Sequence, residues 1–441
     1  MRTSSLAGAA ATALALSMLT AGPALAGDGS RAASGSRTID VTTTKDTADR
    51  TPGDGVCADS WGQCSLRAAV QHANSTGGGT IRLEKAVYAL TLTGPNEDAS
   101  ATGDLDVRTR VRIDGNGATV DARGRDRVLD VLAGAALSVR DLTVTGGVAP
   151  GTGVPASGGG VRNAGTFEAD RSAIVRNSAP RAGGGIEASP GSSTTISRST
   201  LSKNSTGAGP GNGGGLHLTG AGTVTIDRTV VTANSAASEG GGLWNSGSGT
   251  MTVDRSTITK NRASGAEATM GGGGLFQEAG PSGSLSVTRS EVTDNVADGA
   301  AGSGGGILND QGTVLVERTL IRDNSAVRAG GGIEANLGTT RLDRTDLTNN
   351  RTGNSPGNGG GLHLTGTGTV TIDRGSVTGN RATNDGGGLW NSPSGTMTVQ
   401  RTTIRGNSAG GEGDDVYQEV GPDGTASGSF TVDGRTVPAG G

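Results

Sequence analysis

The chain has 441 residues, of which 82 are Gly and only eight are aromatic (three Phe, three Trp, two Tyr). A net charge of −4 gives little self-repulsion, and the Gly falls in regular blocks among Val, Ile, Leu and Thr, so a disordered chain is excluded. A helical globule is excluded by the ~1 kcal/mol that Gly costs per helix position relative to Ala, and collagen by the lack of Gly at every third place.

Residues 1–26 read as a secretory signal peptide. Arg2 precedes an apolar, Ala-rich run over 6–19, and Ala24-Leu25-Ala26 fits a small-x-small cleavage site. The run falls short of the ~20 residues of a spanning helix, and no later segment is longer. The expectation is a secreted, extracellular chain with no membrane span and a flexible segment over 27–37. Only four cationic residues are Lys and the rest are Arg, a bias that suggests a high-GC bacterial source. With no basic patch or tail, nucleic acid is excluded as a partner.

Residues 38–157 are read as an N-terminal cap and first irregular coils. Both cysteines, Cys57 and Cys64, lie here, and in a secreted chain a local disulfide is the first reading. Asp46, Asp49, Asp54 and Asp59 crowd the same loop beside Gly53 and Gly55. Asp54 and Asp59 are candidate Ca2+ ligands, with a solvated acidic loop as the competing reading. No cofactor is otherwise expected.

From 158 to 441 the chain repeats. Gly-Gly-Gly followed by an aliphatic residue places that residue at Val161, Ile186, Leu216, Leu243, Leu275, Ile307, Ile333, Leu362 and Leu389. A degenerate copy ends at Val416. The spacing averages about 28 residues, which marks a solenoid. Each unit continues with a Thr/Val-alternating stretch, then an Arg, then an Asn six places later, from Arg171/Asn177 to Arg401/Asn407, nine times. No stretch has a long 3.6-residue period, so helical repeats are excluded. Three short strands per unit describe an all-β parallel β-helix with coils ~4.8 Å apart. The Asn is expected either in the left-handed region or in a ladder of stacked amides, and the Arg in turn hydrogen bonds and solvated edges.

A longer period lies above this one. Val161 to Ile307, Leu216 to Leu362 and Leu243 to Leu389 are each 146 residues. Five coils were therefore duplicated as a block, about 158–303 and 304–441.

After each aliphatic anchor, alternation sends the next side chain outward. The outward row reads Arg162, Glu187, His217, Trp244, Phe276, then Leu308, Glu334, His363, Trp390, Tyr417. A Glu-His-Trp-aromatic column thus occurs twice. Trp244, Phe276, Trp390 and Tyr417 are candidate platforms for sugar rings. Glu187, His217, Glu334 and His363 are candidate proton-moving groups. Glu187 and Glu334, five coils apart, cannot form one glycosidase pair, which needs ~5–9.5 Å. Asp414 and Asp415 are read as a corner turn rather than a paired catalytic site.

The stretches Asp54-Gly55-Val56-Cys57-Ala58-Asp59, Cys64-Ser65-Leu66-Arg67-Ala68-Ala69-Val70 and Gly103-Asp104-Leu105-Asp106-Val107 resemble the CSLREA-type secreted β-helix proteins, with Ala68 at the family's Glu position. The Gly-Gly-Gly units resemble their right-handed β-helix repeats, which are related to polymorphic outer-membrane-protein repeats and to the pectate-lyase-like fold. The resemblance implies a short capping helix over 66–73 and no activity common to the family. The sequence thus predicts a monomeric, single-stranded right-handed β-helix of about fourteen coils. Its expected partner is an extracellular polysaccharide or cell-surface glycan, bound without catalysis along the outward column. A polysaccharide lyase or glycoside hydrolase and a purely structural solenoid are the alternatives.

Overall fold

The computed structural model describes residues 37–94, 97–280, 282–354 and 356–440. The signal peptide over 1–26 and nearly all of the 27–37 segment lie outside the described residues.

One coil shows how the repeat folds. Leu216–Leu218 forms the first strand, Thr223–Asp227 the second, Val230–Thr232 the third, and Ser235–Ala236 a short fourth. Each pairs in parallel with its counterpart one coil on: Leu216 with Leu243, Thr223 with Thr250, Val230 with Thr257 and Ser235 with Arg262. The first strands build a 12-stranded sheet, the second and third a 25-stranded sheet, and the fourth a 7-stranded sheet. The fold is the expected all-β solenoid, with three sheets enclosing one core. The expected three strands per coil are all present, and the fourth follows the Asn. The 12-stranded sheet gives about twelve coils, not fourteen. The count falls because residues 37–104 contribute single strands and a helix rather than full turns.

Alternation sets the core. Val224 and Ile226 point in and are buried, while Thr223 and Thr225 are exposed. Asn245 and Gln277 also point in, and the Asn245 amide donates to Gln277 Oε1 at 2.6 Å.

Two corner devices recur. All nine repeat Arg residues have positive φ, for example Arg198 at 48° and Arg255 at 47°. They turn the chain from the second strand into the third. Such a conformation costs ~1–2 kcal/mol for an L-residue. It is held because the ladder continues through the corner: Arg198 N donates to Asp227 O at 3.0 Å. Six of the nine Arg side chains pair with an Asp one coil back, as in Arg171 Nε to Asp141 Oδ1 (2.8 Å) and Arg289 Nε to Asp254 Oδ1 (2.9 Å). The Asn residues adopt the second of their two expected roles. Asn204 Oδ1 accepts from Asn177 N at 3.0 Å and from Asn177 Nδ2 at 3.1 Å, and Asn204 Nδ2 donates to Ile174 O at 2.9 Å. The pattern runs unbroken to Asn407, whose Nδ2 donates to Asp415 Oδ1 at 2.8 Å. Asp415 therefore terminates the ladder, while Asp414 accepts from Ala409 N at the same corner.

The Gly block follows from crowding. Gly183 has φ +60°, and a Cβ on Gly184 would lie 2.3 Å from Ser205 O and 2.6 Å from Gly214 O of the neighbouring coil. No side chain fits there.

At the N-terminal end, Leu66–Ser75 forms the helix, two residues longer than expected, with Ser65 Oγ accepting from Ala68 N at 3.0 Å. It packs on strands Gly79–Arg82, Leu105–Val107 and Arg110–Asp121. Arg67 is fully buried. Its guanidinium meets Asp46 Oδ1 at 2.7 Å and the carbonyls of Ser100, Thr102, Gly103 and Asp104. Two of the stretches that carry the CSLREA resemblance are thus bound directly to one another. Cys57 and Cys64 are disulfide-bonded, with Cα atoms 5.2 Å apart.

Candidate functional site

The outward row of the 12-stranded sheet is continuous. In register from the first strand it reads Asp106, Asp130, Arg162, Glu187, His217, Trp244, Phe276, Leu308, Glu334, His363, Trp390 and Tyr417. The predicted column is therefore one row, and it is headed by two aspartates that the sequence reading left out. The tripeptide Leu-Asp-Val at 105–107 and again at 129–131 was the available signal.

The column is not a surface. From Glu187 to Tyr417 no member is more than 7% exposed. The cause lies in the Gly block of the same coil. The first Gly of each triplet, at positive φ, brings the backbone back over the column: a Cβ on Gly213 would lie 2.6 Å from His217 Cβ, and one on Gly240 2.9 Å from Trp244 Cβ. The same closure occurs at Gly359 over His363 and at Gly386 over Trp390.

Inside this cover the side chains stack on each other. His217 and Trp244 have ring centroids 4.2 Å apart, Trp244 and Phe276 6.0 Å, and His363 and Trp390 4.1 Å. Trp244, Phe276 and Leu308 form a small apolar cluster of their own. The expectation that Trp244, Phe276, Trp390 and Tyr417 present open faces to sugar rings is corrected accordingly. Both faces of Trp244 are already taken by His217 and Phe276.

The acid–base groups are also self-contained. Glu187 Oε2 lies 2.9 Å from His217 Nδ1, and Thr219 Oγ1 donates to Glu187 Oε1. The duplicated copy repeats this: Glu334 Oε2 lies 2.9 Å from His363 Nδ1, and Thr365 Oγ1 donates to Glu334 Oε1 at 2.7 Å. Burial works to raise the Glu334 carboxyl, but His363, Arg328 and Thr365 together outweigh it and hold it below its ordinary range. Each glutamate oxygen faces a partner, and each imidazole is stacked on an indole. The arrangement orients and neutralises buried charge and leaves a substrate no approach. Beside it, Glu239 accepts from Trp244 Nε1 at 3.0 Å. Burial pushes Glu239 up to about 6 against that hydrogen bond.

Asp54 and Asp59, the candidate Ca2+ ligands, both accept hydrogen bonds within their own loop. Asp59 Oδ1 accepts from Trp61 N and Gln63 N, and Oδ2 from Thr47 Oγ1. Asp54 accepts from Val56 N. Both organise the disulfide loop from within. Among the described residues the carboxylates that do converge are Asp98, Asp106 and Asp130.

The open, regular surface lies on the 25-stranded sheet. The outward position that begins each second strand is Thr166, Ser193, Thr223, Thr250, Ser284, Thr313, Thr339, Thr369, Thr396 and Ser429, in register throughout. All ten carry hydroxyls and all are exposed or half-buried. Two residues on, a parallel row includes Thr195, Thr225, Thr252, Ser286, Thr371, Thr398 and Thr431, with Glu168, Leu315 and Arg341 at its other three places. The Arg–Asp ion pairs border this face. The Thr/Val alternation was visible in the sequence, but its continuity across coils depends on register.

The site and fold define a single-stranded parallel β-solenoid with a closed internal column and an open hydroxyl face. A family model described as right handed beta helix region matches residues 137–377, more than half of the chain. The protein belongs to that right-handed β-helix family. No curated protein matches its sequence. Among solved structures it is similar to the A-module of the mannuronan C-5 epimerase AlgE4 of Azotobacter vinelandii, at 13% identity and TM-score 0.43. That match covers 83% of this chain and 97% of that one. It is also similar to the pectate lyase Pel9A, at 13% identity and TM-score 0.36, covering 92% and 83%.

Proposed function

We propose that this is a secreted, non-catalytic solenoid that binds an extracellular polysaccharide on the hydroxyl face of its 25-stranded sheet. The observation that carries the reading is the unbroken row of ten Ser/Thr hydroxyls, repeating at the coil spacing of ~4.8 Å. A polysaccharide is also a linear array of hydroxyl-bearing units of similar repeat. Such a chain laid along the coils meets equivalent donors and acceptors at each step, with Thr methyls supplying apolar contact. Secretion is supported by the 1–26 pattern and by the Cys57–Cys64 disulfide. No described helix is long and apolar enough to cross a membrane.

The test is co-sedimentation with a panel of insoluble neutral and acidic polysaccharides, alongside assays for new reducing ends and unsaturated products. Retention by at least one polymer is expected, and the triple variant Thr223→Ala, Thr250→Ala, Ser284→Ala, which removes three adjacent hydroxyls of the row, is expected to lose it. Binding unchanged by that variant, or product formation, overturns the reading. Absence of binding to the whole panel favours a purely structural solenoid.

A further inference from the structure

The first two residues of the internal column are both carboxylates. Asp106 and Asp130 stand side by side on paired strands Leu105–Val107 and Leu129–Val131. The preceding loop brings in Asp98, so that one oxygen from each of the three lies within 4.8 Å of the other two. Asp98 is exposed, whereas Asp106 is 0% and Asp130 1% exposed.

Charge in this pocket does not balance. Buried Asp104, Asp106, Asp126 and Asp130, with Asp98 at the rim, face two guanidiniums, Arg127 and Arg162. Asp130 takes Arg162 on both oxygens and Arg127 on one. Asp104 takes Arg127 at 3.2 Å. Asp106 takes neither. Its Oδ2 accepts from Ser100 N at 2.7 Å, and its Oδ1, fully buried, has no hydrogen-bond partner. A buried, half-satisfied carboxylate beside other carboxylates is strongly unfavourable unless it is neutralised.

We propose that Asp98, Asp106 and Asp130 hold a calcium ion that ties the 97–104 loop to the first coil. An all-oxygen set of carboxylates suits a hard cation. Calcium, with 6–8 ligands in flexible geometry, tolerates an irregular set completed by water, whereas magnesium demands a near-ideal octahedron. Asp130 Oδ1 keeps a second lone pair beyond its bond to Arg162, whereas Oδ2 is shared by Arg162 and Arg127. The ion would face the orphaned Asp106 Oδ1 and offset the excess negative charge. This inference is independent of the polysaccharide reading.

The test is calorimetric titration of the chelator-dialysed full chain with Ca2+, paired with thermal unfolding. One ion is expected per chain, with Tm rising by about 2–5 °C at saturating Ca2+ and Mg2+ at least tenfold weaker. Asp106→Asn, and Asp98→Asn at the exposed rim, should each abolish the Ca2+-dependent rise while leaving a folded chain. Asp54→Asn should keep it. No binding by the wild type at millimolar Ca2+ overturns the proposal, as do unchanged affinity in both rim and core variants, equal affinity for Mg2+, or loss of the response in Asp54→Asn.

Discussion

The imidazole of His217 lies flat on the indole of Trp244, 4.2 Å between centroids and 14° between planes, and the pair His363/Trp390 reproduces it at 4.1 Å and 14°. Parallel strands bring equivalent positions of adjacent coils to ~4.8 Å, so flat rings one coil apart stack with little adjustment. The Glu187 carboxylate fixes the imidazole from the other side. The column is thus an aromatic spine running inside the loops.

Truncating that spine should unfold the protein more readily. Trp244→Ala is expected to cost about 3–5 kcal/mol, in the range of buried aromatic truncations. Trp61→Ala is expected to stay within about 0.5 kcal/mol, because Trp61 is 69% exposed. Denaturant unfolding followed by far-UV circular dichroism measures both. Equal effects would remove the spine from the account of stability.

Glu239 gives a pH dependence of one sign. Its folded-state pKa of about 6 lies above the ordinary 4.5, so the folded state favours the protonated form. That contribution is complete below about 4.5 and is lost as pH rises through about 6. Glu239→Gln keeps an acceptor for Trp244 Nε1 and removes the loss. The variant should gain up to about 2 kcal/mol over wild type at pH 7.5 and nothing at pH 4, read as a Tm difference at the two values.

Glu334 gives the opposite sign. It titrates below its ordinary 4.5, so its contribution is present above about 4.5 and is lost as pH falls through the depressed folded value. Glu334→Gln should melt below wild type at pH 7, and the gap should close under acid. A gap that is constant between pH 7 and pH 3 would mean that the ion pair with His363 contributes nothing.

The amide ladder should fail locally. In Asn261→Ala, Asn234 N loses its acceptor and Val231 O its donor, which follows from the 3.0 Å and 2.9 Å bonds to Asn261. Each buried orphan costs about 1–3 kcal/mol. Hydrogen exchange should accelerate first over residues 231–236 and the coils on either side. Uniform acceleration along the whole solenoid would argue against coil-by-coil stability.

What was legible in the sequence is what recurs at fixed spacing. The Gly-Gly-Gly anchors, the Arg–Asn interval and the inward amides Asn245 and Gln277 all fall where alternation puts them. The burial of Trp244 was not legible, because it depends on Gly240 turning back over its own coil at φ +62°. A glycine in sequence shows freedom to turn but not the direction taken. The row from Thr166 to Ser429 was hidden in another way. Its members lie 26 to 34 residues apart, since loops of different length separate equal strands, and only register aligns them. Asp106 and Asp130 were missed because they precede the repeat, in coils without a Gly triplet.

The Asn ladder also bears on how such a chain grows. Each Asn offers its Oδ1 to the coil before and its Nδ2 to the same pair of acceptors, so every coil boundary from Asn177 to Asn407 is chemically interchangeable. Cutting at two such boundaries and rejoining leaves no unmatched amide, whatever number of whole coils is gained or lost. A block of five could therefore be copied without inventing a new contact surface. The heritable unit of this protein is the coil, and Asp415, which accepts the last amide and passes nothing on, is its stop signal.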